Sequence, residues 1–245
     1  MDLIAHRGAS HDAPENTLAA LRLAWSQDAD AVEVDAHLTS DGRLAVIHDP
    51  DTRRTARVER LVAEMTLGEL QRLDAGSWKA PMFAGEPIPA LDAALLLVPA
   101  GRRIFVELKS GPEAVPELVR CLIRSRLNPA QVVVIAFDFE VARAAKQQLA
   151  RCEVCWLLER DSEAGRLEWK EIVRRARAAR LDGLDLKAEW VDRESELVAQ
   201  THAAGFKLYV WTVDDAPLAR RLAAAGVDGI TTNRPAWLRA GLHEE

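Results

Sequence analysis

The chain has 245 residues, 49% hydrophobic and 29% charged, with a formal net charge of −6. Such a balance suits a globular protein with one large core, excludes a disordered chain, and argues against nonspecific nucleic-acid binding; an anionic ligand would need a locally basic pocket. Three cysteines, an odd number, fit a reducing compartment better than a disulfide framework.

The N-terminal segment MDLIAHRGAS has no basic stretch followed by a long apolar one, and the most apolar run, ALDAALLLVPA, contains Asp92 and stops at Pro99. The expectation is a cytoplasmic protein without a membrane span. Composition specifies no oligomeric state.

Short apolar strands alternate with helical patterns nearly from end to end. The predicted strands are Leu3 to His6, Ala31 to Ala36, Ile104 to Leu108, Val132 to Ala136, Val154 to Leu158, Gly183 to Leu186, Leu208 to Thr212 and Gly229 to Thr232. Between them the periodicity predicts helices at Thr17 to Ser26, Leu91 to Leu97, Glu113 to Arg126, Glu140 to Leu149, Trp169 to Arg180, Arg193 to Ala204 and Ala216 to Ala225. Eight strands in this alternation predict an α/β fold, a (β/α)8 barrel formed by residues 1–245 as one domain. A doubly wound open sheet is the competing arrangement, but no glycine-rich dinucleotide fingerprint follows the first strand.

One connection breaks the spacing. After a turn at Ser40-Asp41-Gly42 the chain returns as Leu44 to Ile47, and an insertion at about residues 50–89 follows, with its own helical pattern at Leu67 to Leu73. Loops this long on a barrel usually cover its active face. Two other features read as structural. Cys152 and Cys155 lie three apart in a predicted strand and so point to opposite faces, which suits packed thiols rather than a zinc or redox pair. The run Arg174 to Arg180 reads as a solvated helix face with Val173, Ala176 and Ala179 turned inward.

The chemistry gathers at strand ends. Glu33 and Asp35, two apart in a strand, leave the same face and can reach one cation; their oxygens suit Mg²⁺ or Ca²⁺, with Mn²⁺ a further candidate. His48, just beyond the return segment, adds a group able to move protons near neutral pH. The first strand ends His6-Arg7-Gly8, the third ends Glu107-Leu108-Lys109, and the seventh contains Trp211. A cation on Glu33, Asp35 and Glu107, with Arg7 and Lys109 nearby, suits a phosphoryl group whose charged oxygens need neutralising. Glu107 alone could equally be paired with Lys109; the joint occurrence decides, because three carboxylates buried together without a cation would be costly.

The ordered segments HRGAS, PENT, VEVDAHLTSDG, VIHD, LDAGSW, VELK, VWTVD and GITTNRP, spanning His6 to Pro235, give a sequence that resembles the bacterial glycerophosphodiester phosphodiesterases. The resemblance implies a (β/α)8 barrel with a small insertion after the second strand. It also implies hydrolysis of glycerophosphodiesters such as glycerophosphocholine and glycerophosphoethanolamine to sn-glycerol 3-phosphate and an alcohol. By the same resemblance Glu33, Asp35 and Glu107 are the metal ligands, His6 and His48 the acid–base pair, and Arg7 and Lys109 the phosphate contacts. Trp211 would wall the glycerol moiety, Asn16 would order the first loop or touch the metal's water shell, and Asp49 would orient His48. His37 shares the parity of Glu33 and Asp35, but the strand is expected to end there, which makes it a supporting or surface residue. The chain departs from the family pattern at His11-Asp12, after His48-Asp49, at Ala136 and at Asp214, all loops around the mouth that bear on the leaving group. Two alternatives stay open: a lysophospholipase D with an apolar channel from Trp78, Met82 and Phe83, or a noncatalytic barrel that binds phosphoryl ligands.

Overall fold

A computed structural model describes residues 1–243. Segments such as VVVIA and EVCWLL are buried along nearly their whole length, as strands covered on both faces must be. Among the described residues nine strands form: β1 (Asp2–Ala5), β2 (Ala31–Leu38), β3 (Leu44–Val46), β4 (Arg103–Leu108), β5 (Val132–Ala136), β6 (Glu153–Leu158), β7 (Gly183–Lys187), β8 (Lys207–Trp211) and β9 (Gly229–Thr232). All except β3 are parallel and close a ring in the order β1-β2-β4-β5-β6-β7-β8-β9. Pairing of Ile4 with both Ala31 and Thr231 completes that ring. The predicted eight-stranded barrel is therefore the fold.

Helices cover the outer face, and polar caps set where several of them begin. Thr17 Oγ1 accepts the backbone N–H of Ala20 ahead of Leu18–Ser26, Asp138 caps Phe139–Gln148, and Asp215 caps Ala216–Ala225. The apolar side chains divide between an outer layer under the helices and an interior set that includes Ile4, Phe105, Val133, Cys155, Leu157 and Tyr209. Cys152 belongs to the outer layer and Cys155 to the interior, so the two thiols do face opposite ways. Arg174 and Arg175 both pair with Glu171 at the helix surface, where Ile172 and Ala176 supply the buried face.

Two expectations need correction. The second strand runs on to Leu38 because its end pairs antiparallel with β3, matching His37 with Ala45, so His37 lies within the strand. The helix expected over Arg193 to Ala204 is two helices, Ala188–Arg193 and Glu196–Ala203, since Glu194 leaves helical geometry at φ −124°, ψ 64°. A C-terminal helix at Pro235–His243 had no predicted counterpart. In the insertion, Leu67–Leu70 makes a single turn, closed by a capping box between Thr66 and Glu69. The insertion owns a separate small core that includes Val62, Met65, Leu70 and Ile88, packed on Ala45 and Ile47 beside the return strand. Among the described residues no helix is long and apolar enough to cross a membrane.

The bottom of the barrel is closed by ion pairs. Arg103 donates to Asp2 Oδ2 (2.6 Å) and Glu153 Oε2 (2.7 Å), Lys207 donates to the same glutamate oxygen (2.7 Å), and the Tyr209 hydroxyl donates to Glu153 Oε1 (2.6 Å).

Candidate active site

The site lies at the opposite end, where the parallel strands deliver their C-terminal residues. The turn after β1 is tight: Arg7 and Gly8 adopt φ of 56° and 79°, and a β-carbon on Gly8 would lie 2.6 Å from the Ala20 carbonyl carbon. Glycine is therefore required for the loop to sit against the first helix. The turn aims the Arg7 backbone N–H at Glu33 Oε2 (2.9 Å) and its guanidinium at Asp35 Oδ2, with Nε at 3.1 Å.

Register places the carboxylates side by side, because Asp35 of β2 is the direct partner of Glu107 of β4. Oxygens of Glu33, Asp35 and Glu107 lie within 4.8 Å of one another, and all three residues are buried. Lys109 Nζ stands 2.5 Å from Glu107 Oε1 and 3.1 Å from Asp35 Oδ1. Burial, reinforced by Asp35 and Glu107, pushes Glu33 well above the usual carboxylate range. Burial and then Asp35 raise Glu107 to about 7. Burial also opposes ionisation of Asp35, yet Lys109 and Arg7 overcome it and hold that carboxyl well below its ordinary value. Asn16, itself at φ 60°, clamps Asp35 twice: its amide donates to Oδ2 (2.7 Å) and its carbonyl accepts the Asp35 backbone N–H (3.1 Å).

The two histidines approach from different elements. His6 lines the cavity with its Nε2 4.0 Å from Glu33 Oε2, and burial, then Arg7, lowers its imidazole to about 4. His48, carried back by the return strand, bonds Asp49 Oδ1 through Nδ1 (2.7 Å). His37 is turned to the His48 backbone carbonyl, to which its Nε2 donates (3.0 Å), and lies outside the carboxylate cluster.

These groups surround a cavity of about 160 Å³ with two unlike halves. His6, Arg7, Glu33, His48, Glu107 and Lys109 make the charged half; Ile135, Phe137, Leu157 and Trp211 make an apolar half with one carboxyl, Asp185. The indole of Trp211 is edge-on to Phe137 at 5.5 Å and donates to the Asp185 backbone carbonyl at 3.3 Å, so it serves as a wall. Asp35, Asn16 and Asp49 do not line the cavity; Asp35 holds Arg7 and Lys109 and Asp49 holds His48, all of which do, while Asn16 holds Asp35. Larger grooves of about 730, 530, 480 and 390 Å³ also open on the molecule, and none is lined by Glu33, Asp35 or Glu107.

Several supporting residues escaped sequence reasoning, although most sat inside recognised motifs. Asn233, from GITTNRP, faces His6 Nδ1 with its Oδ1 (2.8 Å), while its amide donates to Asp214 Oδ2 (2.5 Å). Glu15, from PENT, pairs with Arg7 and with Arg54 of the insertion. Arg54 also binds Asp49, and that hydrogen bond, stronger than the opposing burial, holds Asp49 at about 2. The result is one chain of contacts, Arg7–Glu15–Arg54–Asp49–His48, which no local pattern announces. Asp185 carried no signal at all.

Fold and site together define a (β/α)8-barrel enzyme with its chemistry assembled at the strand C-termini. The chain belongs to the glycerophosphoryl diester phosphodiesterase family, whose model matches residues 6–237. A glycerophosphodiester phosphodiesterase of Caldanaerobacter subterraneus subsp. tengcongensis is 35% identical over 96% of this chain and 95% of its own. One from Bacillus subtilis is 32% identical over 95% and 83%. Among solved structures, an Oleispira antarctica phosphodiesterase in complex with the product sn-glycerol-3-phosphate superimposes with a TM-score of 0.89 at 28% identity, covering 100% of this chain and 97% of that one. The resemblance carried by the motifs is thus borne out, and the chain is a phosphodiesterase of this family.

Proposed function

We propose that the chain hydrolyses glycerophosphodiesters, such as glycerophosphocholine and glycerophosphoethanolamine, to sn-glycerol 3-phosphate and an alcohol, using a divalent cation held by Glu33, Asp35 and Glu107. The observation that carries this reading is the buried cluster of three carboxylates flanked by Arg7 and Lys109. The donor set fits a hard cation: Glu33 Oε1 is buried without a hydrogen-bond partner, and three adjacent carboxylates outnumber the two neighbouring cationic side chains. Mg²⁺ or Ca²⁺, or Mn²⁺ as a further candidate, would supply charge stabilisation for the phosphoryl oxygens.

The chain's own residues do the rest. Arg7 and Lys109 hold phosphoryl oxygens through charge-assisted hydrogen bonds. The Asn233 amide is committed to Asp214, so its Oδ1 accepts from His6 Nδ1–H and leaves Nε2 with its lone pair toward the site. His6 then takes the proton of the nucleophile, and His48, its ring fixed by Asp49, protonates the departing alkoxide. Trp211 walls the glycerol side. Labelling with ¹⁸O water, together with ³¹P NMR for a transient cyclic phosphate, separates attack by water from attack by the substrate's own hydroxyl.

The lysophospholipid alternative gains no support, since Trp78, Met82 and Phe83 do not line the cavity and Met82 is exposed. A panel of glycerophosphodiesters assayed with Mg²⁺, Ca²⁺ and Mn²⁺ and coupled to glycerol 3-phosphate release tests the proposal. Activity that survives EDTA sinks the metal requirement, and lysophosphatidylcholine outperforming glycerophosphocholine overturns the substrate.

A further inference from the structure

The scheme above leaves one buried group at the mouth without a task. Asp185 is 1% exposed on β7, the strand four places from β2 in either direction round the ring, so it faces the metal-ligand strand across the barrel. Its Oδ1 is buried with no hydrogen-bond partner. Burial, and then the like charge of Glu107, pushes this carboxyl well above its ordinary value. Leaving such a group unpaired is costly, and a fold that retains one calls for an explanation.

The surroundings identify the partner. Asp185 sits in register between Leu157 of β6 and Tyr209 of β8, and Ile135 and Leu157 line the same apolar half. A cationic alcohol would find the aromatic rim already taken, because Lys109 Nζ lies 5.9 Å from the Phe137 ring centroid. A neutral, hydroxyl-bearing arm meets no such charge. A buried carboxyl oxygen without a partner accepts from a hydroxyl, which matches such an arm. With the phosphoryl group at Arg7 and Lys109, a short arm lying across the cavity of about 160 Å³ would meet the β7 side of its lining.

We propose that Asp185 binds the free hydroxyls of the substrate's glycerol arm and is the residue that makes the site select a vicinal diol. The assignment rests on the glycerophosphodiester reading given above. It gives the apolar half its specificity: the walls exclude charge, and the single carboxyl demands a hydroxyl.

The test pairs a change in the enzyme with a change in the substrate. Wild-type enzyme, Asp185→Leu and Asp185→Asn are assayed on glycerophosphocholine and on its analogue with 2-hydroxypropyl in place of glyceryl, which keeps the hydroxyl able to attack and lacks the other. Wild type should prefer the glyceryl diester by about 10²-fold in kcat/KM, as sites built for a substrate hydroxyl do. Asp185→Leu should collapse that preference to less than about tenfold, and Asp185→Asn, which can still donate and accept, should keep most of it. Equal loss on both diesters in both variants would make Asp185 merely structural. Loss on glycerophosphocholine but none on glycerophosphoglycerol would make it a reader of the cation. A wild type that does not distinguish the two diesters also overturns the proposal. Calorimetric binding of sn-glycerol 3-phosphate against n-propyl phosphate gives a readout independent of turnover. Should wild type release glycerol 3-phosphate from no diester, the functional reading fails, and the calorimetric pair still decides the role of Asp185.

Discussion

At the bottom of the barrel Arg103 and Lys207 face Asp2 and Glu153, and Tyr209 fills the remaining glutamate oxygen. At the top Glu33, Asp35 and Glu107 face Arg7 and Lys109, Arg7 is shared with Glu15, and Glu33 and Asp185 each keep a buried oxygen without a hydrogen bond. The same fold therefore contains a charge cluster that is closed and one that is open. The closed cluster is explained by the protein alone, since each of its charged side chains has a partner of opposite sign. On the proposed function the open one is completed by something added, a cation meeting the orphaned oxygen of Glu33 and a substrate hydroxyl that of Asp185.

Mutations at the two ends should separate accordingly. The largest effect is expected from Glu107→Gln, with turnover falling on the order of 10³-fold and divalent-metal affinity lost by calorimetry, while the melting temperature holds or rises as repulsion is relieved. His48→Ala should keep metal binding and lose about 10²-fold in turnover, which distinguishes a proton-transfer group from a ligand. Glu153→Gln, at the closed end, should do the reverse, costing about 2 kcal/mol in chemical denaturation, discounted for the half-exposed Lys207, with kcat unchanged. Arg54→Ala should reduce kcat about tenfold by releasing both Glu15 and Asp49, as lost supporting contacts do. The smallest expected effect is a pH slope in the metal-free protein. Glu107 keeps its proton to about 7 when folded, against 4.5 ordinarily, so the folded state binds more protons between those values. Stability should accordingly fall as pH rises from about 4.5 to 7, seen as a melting temperature drifting down by a few degrees, and added Mg²⁺ should flatten the slope.

The barrel was legible because its strands are buried on both faces and read as short apolar runs at regular spacing. The carboxylates were legible because period-two spacing within a strand fixes a shared face without reference to the rest of the chain. What could not be read joins distant segments through side chains. Asn233 lies 227 positions from His6, and Arg54 reaches Glu15 across 39. Asp185 looked like any polar residue in GLDLK, since only the closed ring shows that β7 faces β2. The broken helix near Glu194 and the extended β2 were missed for a related reason: each boundary is set by a neighbour, not by local periodicity.

The insertion carries its own core yet reaches the first loop through Arg54 to Glu15 and through Lys79 to the Ser10 carbonyl. A small module of this kind can open as a unit while the barrel persists, because local opening costs less than global unfolding. Arg54 travels with it, and His48 then loses the support of Asp49's partner. Gentle heating should silence the enzyme reversibly below the temperature at which amide exchange in β1 to β9 speeds up, so that thermal inactivation reports the rim and calorimetry reports the barrel.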